Sequence, residues 1–171
     1  MSSSIFDLSF IKKTLGYNEQ KVGLISDPPI SADNTAYLHD ILYENTIPFV
    51  PPIQYGKVIK VYDGDTFTIA AKLPNTDSPV YRFSVRLNGI DTPEIHGKTA
   101  REKELAVAAR DALYKLIYGK VINLQHIATE KYGRILADVY LDNIHVNDWL
   151  IQNKYAVPYD GGTKNRPNDW E

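Results

Sequence analysis

The sequence predicts a β-rich α+β domain: a five-stranded Greek-key barrel with a helix between strands three and four, a second short helix after strand five, and a partly helical N-terminal extension. Three observations predict it. Runs of β-branched and aromatic residues recur at 57–62, 66–71, 81–87, 120–127 and 135–141. Asp63-Gly64 and Asn88-Gly89 supply turn chemistry beside them. One long amphipathic stretch, 99–118, falls between the third and fourth runs and ends at Gly119. Three strands, a helix, two strands and a helix is the order of the OB-fold.

Each element has its own local reason. Residues 1–54 read as an extension, in which 5–15 forms a short helix with Phe6, Phe10 and Leu15 among its apolar positions. A second helix is expected over 35–45, capped by Asp33 or Asn34, with Tyr37, Leu38, Ile41 and Leu42 in one stripe. Such a stripe is more often core packing than a partner surface, so the extension is expected to pack on the barrel. Pro48, Pro51 and Pro52 place the boundary near Gln54, leaving 55–171 as the main domain. Asp63-Gly64 is expected to turn the first hairpin through positive φ, which delivers Asp65 at a strand start. Pro93 keeps Thr92 out of helical geometry, so Asp91 and Glu94 sit on an extended corner and face one cavity. In the long helix the expected inward face is Leu105, Ala108, Ala109, Ala112, Leu113 and Leu116. Asn147 is expected to cap the last helix. Lys154 stands where a helix-ending glycine is usual, so Asn153 is the expected left-handed residue.

Composition removes several function classes. The chain has 171 residues, 43% of them hydrophobic, which suffices for a packed core. Zero cysteines exclude disulfides, thiolate catalysis and cysteine zinc sites, and the four scattered histidines lack paired-ligand spacing. No apolar run approaches the roughly 18 residues of a membrane helix and no secretion signal is visible, so the expectation is an intracellular, cytoplasmic protein without a membrane partner. The net charge of −2 argues against coating nucleic acid by bulk positive charge. Residues 1–54 carry a net −3 and residues 55–171 a net +1. Affinity for a polyanion must therefore come from local placement of cations.

The stretch 55–94 concentrates that placement. Asp63, Asp65, Arg86, Asp91 and Glu94 all fall at strand ends, and grouping four acids with one arginine is costly unless a cation and an anionic substrate sit among them. Each piece has a plain alternative. Asp63-Gly64 alone is a hairpin turn, Glu94 a solvated loop acid, Arg86 a surface ion-pair partner, and 131–134 a hairpin with Gly133 at positive φ.

Asp63-Gly64-Asp65-Thr66, then Arg86 five residues before Asp91-Thr92-Pro93-Glu94, then Lys131-Tyr132-Gly133-Arg134 after one long helix, together resemble the staphylococcal nuclease (thermonuclease) family over about residues 56–158. The resemblance implies a calcium site made by Asp65, Asp91 and the Thr92 carbonyl, with Asp63 as an outer acid. Magnesium and manganese stay open, because oxygen ligands alone do not separate the three. It further implies that Glu94 acts on the attacking water and that Arg86 and Arg134 grip the scissile phosphate. Lys131 and Tyr132 would contact the adjacent nucleotide, with Tyr159 as a candidate base-stacking residue. The implied activity is calcium-dependent hydrolysis of DNA and RNA, single strands preferred, leaving 3′-phosphates. A barrel that binds nucleic acid or protein without cutting is the alternative. The long C-terminal helix of the secreted enzymes has no counterpart here, and no partner of residues 1–54 is indicated.

Overall fold

The computed structural model describes residues 35–130, 132–162 and 170. It divides into two compact units, Met1–Thr46 and Ile47–Glu171. In the first, the single helix expected over 35–45 is replaced by two 3-10 turns, Ala36–Leu38 and Tyr43–Asn45. The Asn45 side chain accepts from the Leu42 N–H at 3.1 Å and the Thr46 hydroxyl donates to the Tyr43 carbonyl at 2.8 Å. Local bonds of this kind compete with helix propagation. The helix expected at 5–15 lies outside the described residues.

The second unit holds the barrel. Its strands are β1 (Tyr55–Val61), β2 (Thr66–Ala71), β3 (Tyr81–Leu87), β4 (Ile90–Asp91), β5 (Val121–Thr129), β6 (Ile135–Leu141), β7 (Ile144–His145) and β8 (Val157–Pro158); its helices are α1 (Ala100–Ile117) and α2 (Val146–Gln152). The sheet order is β3-β2-β1-β5-β6-β7. A parallel pairing of β3 with β6, Arg86 opposite Leu136, closes five strands into a mixed barrel, as the sequence predicts. Inward residues alternate along β6 as Ile135, Ala137, Val139 and Leu141, meeting Phe67, Ile69, Val85, Leu87 and Leu124 in one core. Ile53, ahead of the first strand, is buried in that core too.

Helix α1 is capped by the Thr99 hydroxyl, which accepts from the Glu102 N–H at 3.0 Å. It buries Glu102, Ala106, Ala109, Leu113 and Ile117, so the inward face is turned from the expected one and Ala108 points outward. Three glycine- and cap-related expectations are corrected as well. Gly64 does not adopt positive φ. It is required by space, because a Cβ there would lie 2.8 Å from Ala109 Cβ and 2.9 Å from Thr92 Cγ2. Asn147 does not cap α2: the N-cap is His145, and Asn147 is a buried cross-link, described below. At the end of α2, Lys154 itself is left-handed (φ 61°) while Asn153 stays at φ −89°. Non-glycine residues pay roughly 1–2 kcal/mol in that region, so Lys154→Gly is expected to stabilise by about 0.5–1 kcal/mol net of glycine's greater unfolded freedom. A thermal melt should rise by roughly 2–3 °C.

Candidate active site

The site is built where β2, β3 and β6 begin or end. The Asp65 carbonyl accepts from the Leu87 N–H at 2.9 Å, locking the start of β2 to the end of β3. Its carboxylate is buried, as is that of Asp91 on β4 (6% and 3% exposed). One guanidinium nitrogen, Arg86 Nη2, spans both, 2.8 Å from Asp65 Oδ2 and 3.2 Å from Asp91 Oδ1. Arg86 Nη1 also donates to the Ile90 carbonyl at 3.3 Å. Asp63 stands outside this pair, its Oδ1 accepting from the Asp65 N–H at 3.3 Å.

Arg134 arrives from the far half of the chain because β3 and β6 run side by side. Its Nη1 donates to the Thr66 hydroxyl at 3.5 Å, and that hydroxyl donates to Asp65 Oδ1 at 2.8 Å. A single side chain therefore separates Arg134 from the buried acids. Arg134 Nε also pairs with Glu130, across a turn in which Gly133 takes φ +75°. Glu130 holds Arg134 above its usual pKa, with lesser help from Asp65 and Asp63. For Asp65, burial raises the carboxyl to about 7, outweighing the opposing pull of Arg86; repulsion from Asp63 adds to the rise.

Asp63, Asp65, Arg86, Asp91, Thr92, Glu94 and Arg134 line one cavity of about 480 Å³, together with Tyr62 and His96. A second cavity, of about 820 Å³, shares Arg86, Glu94 and Arg134 with the first and continues to Tyr132 and Tyr159. The Tyr159 ring lies 5.7 Å from Arg86 Cζ and the Tyr132 ring 5.8 Å from Arg134 Cζ. The three residues shared by both cavities are the two arginines expected at the phosphate and the glutamate expected at the attacking water. Every candidate residue named from the sequence thus converges here except Lys131, which lies outside the described residues. Thr66, Glu130 and Tyr62 went unread, although the four-residue spacing of Glu130 and Arg134 across a glycine turn was a usable signal.

The supports are local. The loop 94–98 is pinned by Glu102, whose Oε2 accepts from the Lys98 N–H at 3.0 Å; its carboxylate fills the space beside Gly97 that any Cβ would need. β4 is clamped by β8, with Asp91 opposite Val157, and the Tyr159 N–H donates to the Gly89 carbonyl at 2.9 Å. Asn147, 2% exposed, accepts from the Val139 N–H at 3.0 Å and donates to the Asn88 carbonyl at 2.8 Å, which holds the turn leading into Asp91.

Whether a divalent ion fits is a question of donors. Among the described residues no three His, Asp or Glu side chains form a ready metal cluster. Two buried carboxylates do meet at one point, on the same guanidinium nitrogen, with Thr92 buried beside them on the cavity wall. An oxygen-only set of two carboxylates and a carbonyl, completed by water or phosphate oxygens, suits a hard cation. No helix among the described residues is long and apolar enough to cross a membrane.

Comparison with known proteins finds relatives over most of the chain. The chain is 30% identical over 156 residues to an uncharacterized protein of Methanocaldococcus jannaschii, covering 75% of this chain and 72% of that one. An uncharacterized endonuclease of Escherichia coli is 27% identical over 125 residues, 72% of this chain and 73% of its own. A probable staphylococcal-like nuclease of Oryza sativa subsp. japonica is 31% identical over 75 residues, 44% of this chain and only 18% of that longer protein. The model of the staphylococcal nuclease homologue family matches residues 84–170, from mid-β3 through Arg86, Asp91, Glu94 and Arg134 to the C-terminal segment. With a closed barrel, two helices and that match over half its length, the chain belongs to the staphylococcal nuclease family.

Proposed function

We propose that this chain is a calcium-dependent nuclease that hydrolyses phosphodiester bonds of single-stranded DNA and RNA and leaves 3′-phosphates. The observation that carries the reading is the meeting of Arg86 and Arg134, from opposite halves of the chain, with Asp65 and Asp91 at one cavity wall. Asp65, Asp91 and the Thr92 carbonyl would hold the ion, calcium first, with magnesium or manganese as alternatives. When bound, it supplies positive charge to the phosphate oxygens.

The chain's own groups account for the rest. Arg86 and Arg134 bind the equatorial oxygens as charge builds on them, using planar forks that a point charge does not match. Glu94, exposed between the two cavities, accepts the proton of the attacking water. The P–O5′ bond breaks, the phosphate stays on the 3′ oxygen, and the departing 5′ oxygen takes a proton from solvent to leave as a hydroxyl. Tyr132 and Tyr159 offer ring faces to the neighbouring base, and a contact of Lys131 with the same nucleotide is part of the proposal.

Cleavage of labelled single-stranded DNA and RNA with added calcium, magnesium or manganese, and with chelator, tests the reading. Metal-dependent cutting that leaves 3′-phosphates is the expected result. Binding without cutting under all three ions would instead support a binding module.

Asp65 makes the pH dependence specific. In the protein alone its folded pKa of about 7 exceeds the ordinary 3.8, so the folded state holds a proton that the unfolded state has already lost. Stability of the ion-free protein should fall as pH rises from about 4 to about 7, and Asp65→Asn should flatten that slope. An ion at Asp65 must displace the proton, so ion affinity should strengthen through pH 7 and level off above it. Melts and ion titrations at pH 5, 6, 7 and 8 read both; an affinity independent of pH would exclude Asp65 as a ligand.

A further inference from the structure

We infer that Glu102 is a positioning residue for the reaction: its buried carboxylate, held against the loop 94–98, sets where Glu94 stands. The inference rests on the nuclease reading above and gives a role in catalysis to a side chain that lines neither cavity of the site.

Glu94 needs a support outside itself. Its side chain is exposed, so packing does not select its rotamer and the backbone beneath must do most of the aiming. A base has to come within about 3 Å of the proton it takes, and a displacement of about 1 Å at a reacting group costs about 100-fold. On the N-terminal side the backbone is secured by the pairing of β4 with β8 and by the burial of Thr92 and Pro93. On the C-terminal side the chain turns at once, the Gly97 N–H donating to the Glu94 carbonyl at 2.8 Å. Glu102 holds that turn from the helix.

The local sequence explains how an acid comes to lie there. Thr99-x-x-Glu102 has the spacing of a capping box, in which the third helical residue ordinarily reaches back to the N–H of the cap residue. Here Glu102 Oε2 reaches one residue further, to the Lys98 N–H at 3.0 Å, so the bond leaves the helix and enters the loop. Gly97 makes the approach possible. It is buried, and a Cβ there would stand 2.3 Å from both Cδ and Oε2 of Glu102. The helix end of the strut is fixed in turn: the Thr99 hydroxyl accepts from the Glu102 N–H at 3.0 Å and donates to the Trp170 carbonyl at 3.2 Å. A first-turn acid that only stabilises a helix can do so from solvent, whereas Glu102 is 2% exposed. Burying a carboxylate is a cost that capping does not require, and contact with the loop is what the burial achieves.

The test uses the full chain, a labelled single-stranded oligonucleotide and divalent ion, with kcat and KM measured well below each variant's melting temperature. Glu102→Ala should lose about 10-fold to 100-fold in kcat with KM within about two-fold of wild type, since the loop shifts and the arginines stay. Glu102→Gln, whose amide oxygen still accepts from the Lys98 N–H, should recover most of that loss. Gly97→Ala, which pushes on the same carboxylate from the loop side, should lose kcat in the same range. In a Glu94→Ala background, Glu102→Ala should cost less than about two-fold more, because the group it positions is gone. Ile117→Val, buried at the other end of α1, is the control for lost helix stability and should leave kcat unchanged. Should Glu102→Ala not fold, Gly97→Ala, alone and with Glu94→Ala, makes the same comparison. If wild type cuts while Glu102→Ala and Gly97→Ala match it within about two-fold, the positioning role is wrong and the nuclease reading stands. A loss confined to KM, or one that adds in full to Glu94→Ala, also overturns the role and leaves that reading intact. If wild type cuts under no ion, the nuclease reading falls and the role falls with it.

Discussion

Arg86→Ala is expected to lose roughly 100-fold to 1000-fold in kcat on single-stranded DNA, the loss seen when one preorganised donor to a developing oxyanion is removed. Arg86 serves two groups at once. It lines the cavity in which the proposed function puts the phosphate, and its Nη2 holds Asp65 and Asp91 together. Arg86→Lys separates the roles, because lysine keeps a positive charge near the carboxylates but cannot present a planar fork. If the fork acts at the phosphate, Lys will stay within about ten-fold of Ala under the same donor argument. Recovery of near-wild-type turnover by Lys would mean that Arg86 acts only as a counter-ion to the two aspartates. Cleavage of a labelled oligonucleotide at saturating substrate and ion decides it.

Asn147→Ala is the substitution expected to cost most in stability. Its side chain accepts from the Val139 N–H and donates to the Asn88 carbonyl, deep in the barrel wall. Truncation strands the buried Val139 N–H, worth about 1–3 kcal/mol, and removes the part-buried bond to the Asn88 carbonyl as well. A loss of about 3 kcal/mol should lower the melting temperature by roughly 6–10 °C. Asn147→Asp should do no better, since its second oxygen meets the Asn88 carbonyl where an N–H donor stood. Asn88 precedes the turn into β4, so the variant's remaining activity should also fall at temperatures far below its melt. An unchanged melt for Asn147→Ala would show that water or backbone movement replaces the lost bonds.

What could be read from the chain follows from which interactions are local. The strands, the long helix and the turns at Asn88-Gly89 and Gly133 are specified by neighbours in sequence, and the structure has all of them. Asp65, Asp91, Glu94, Arg86 and Arg134 were legible because their order and spacing match a known pattern, and the cavity gathers all five. Gly64 was misread for a physical reason. An Asp-Gly pair says that a turn is possible, but only the approach of Ala109, 45 positions later, shows that a missing Cβ is what matters. Asn147 failed likewise: a polar residue before an apolar run looks like a cap, and the strands that claim its amide lie elsewhere in the chain. The inward face of α1 shifted because a mixed Leu and Ala stripe leaves helix rotation under-determined, and the barrel chose the smaller side chains Ala106 and Ala109 for close approach. Lys154 shows tertiary structure overriding residue preference at a helix end.

The parallel seam between β3 and β6 also determines when function can emerge during refolding. It joins segments about fifty residues apart, and it is the contact that sets Arg134 beside Arg86 and Asp65. Loop closure over that span is entropically slow compared with forming the hairpins or α1. A chain emerging from denaturant would therefore regain its hairpins and helix signal first, and the gathered arginine and aspartate side chains only once the long-range pairings of β1 with β5 and β3 with β6 have formed.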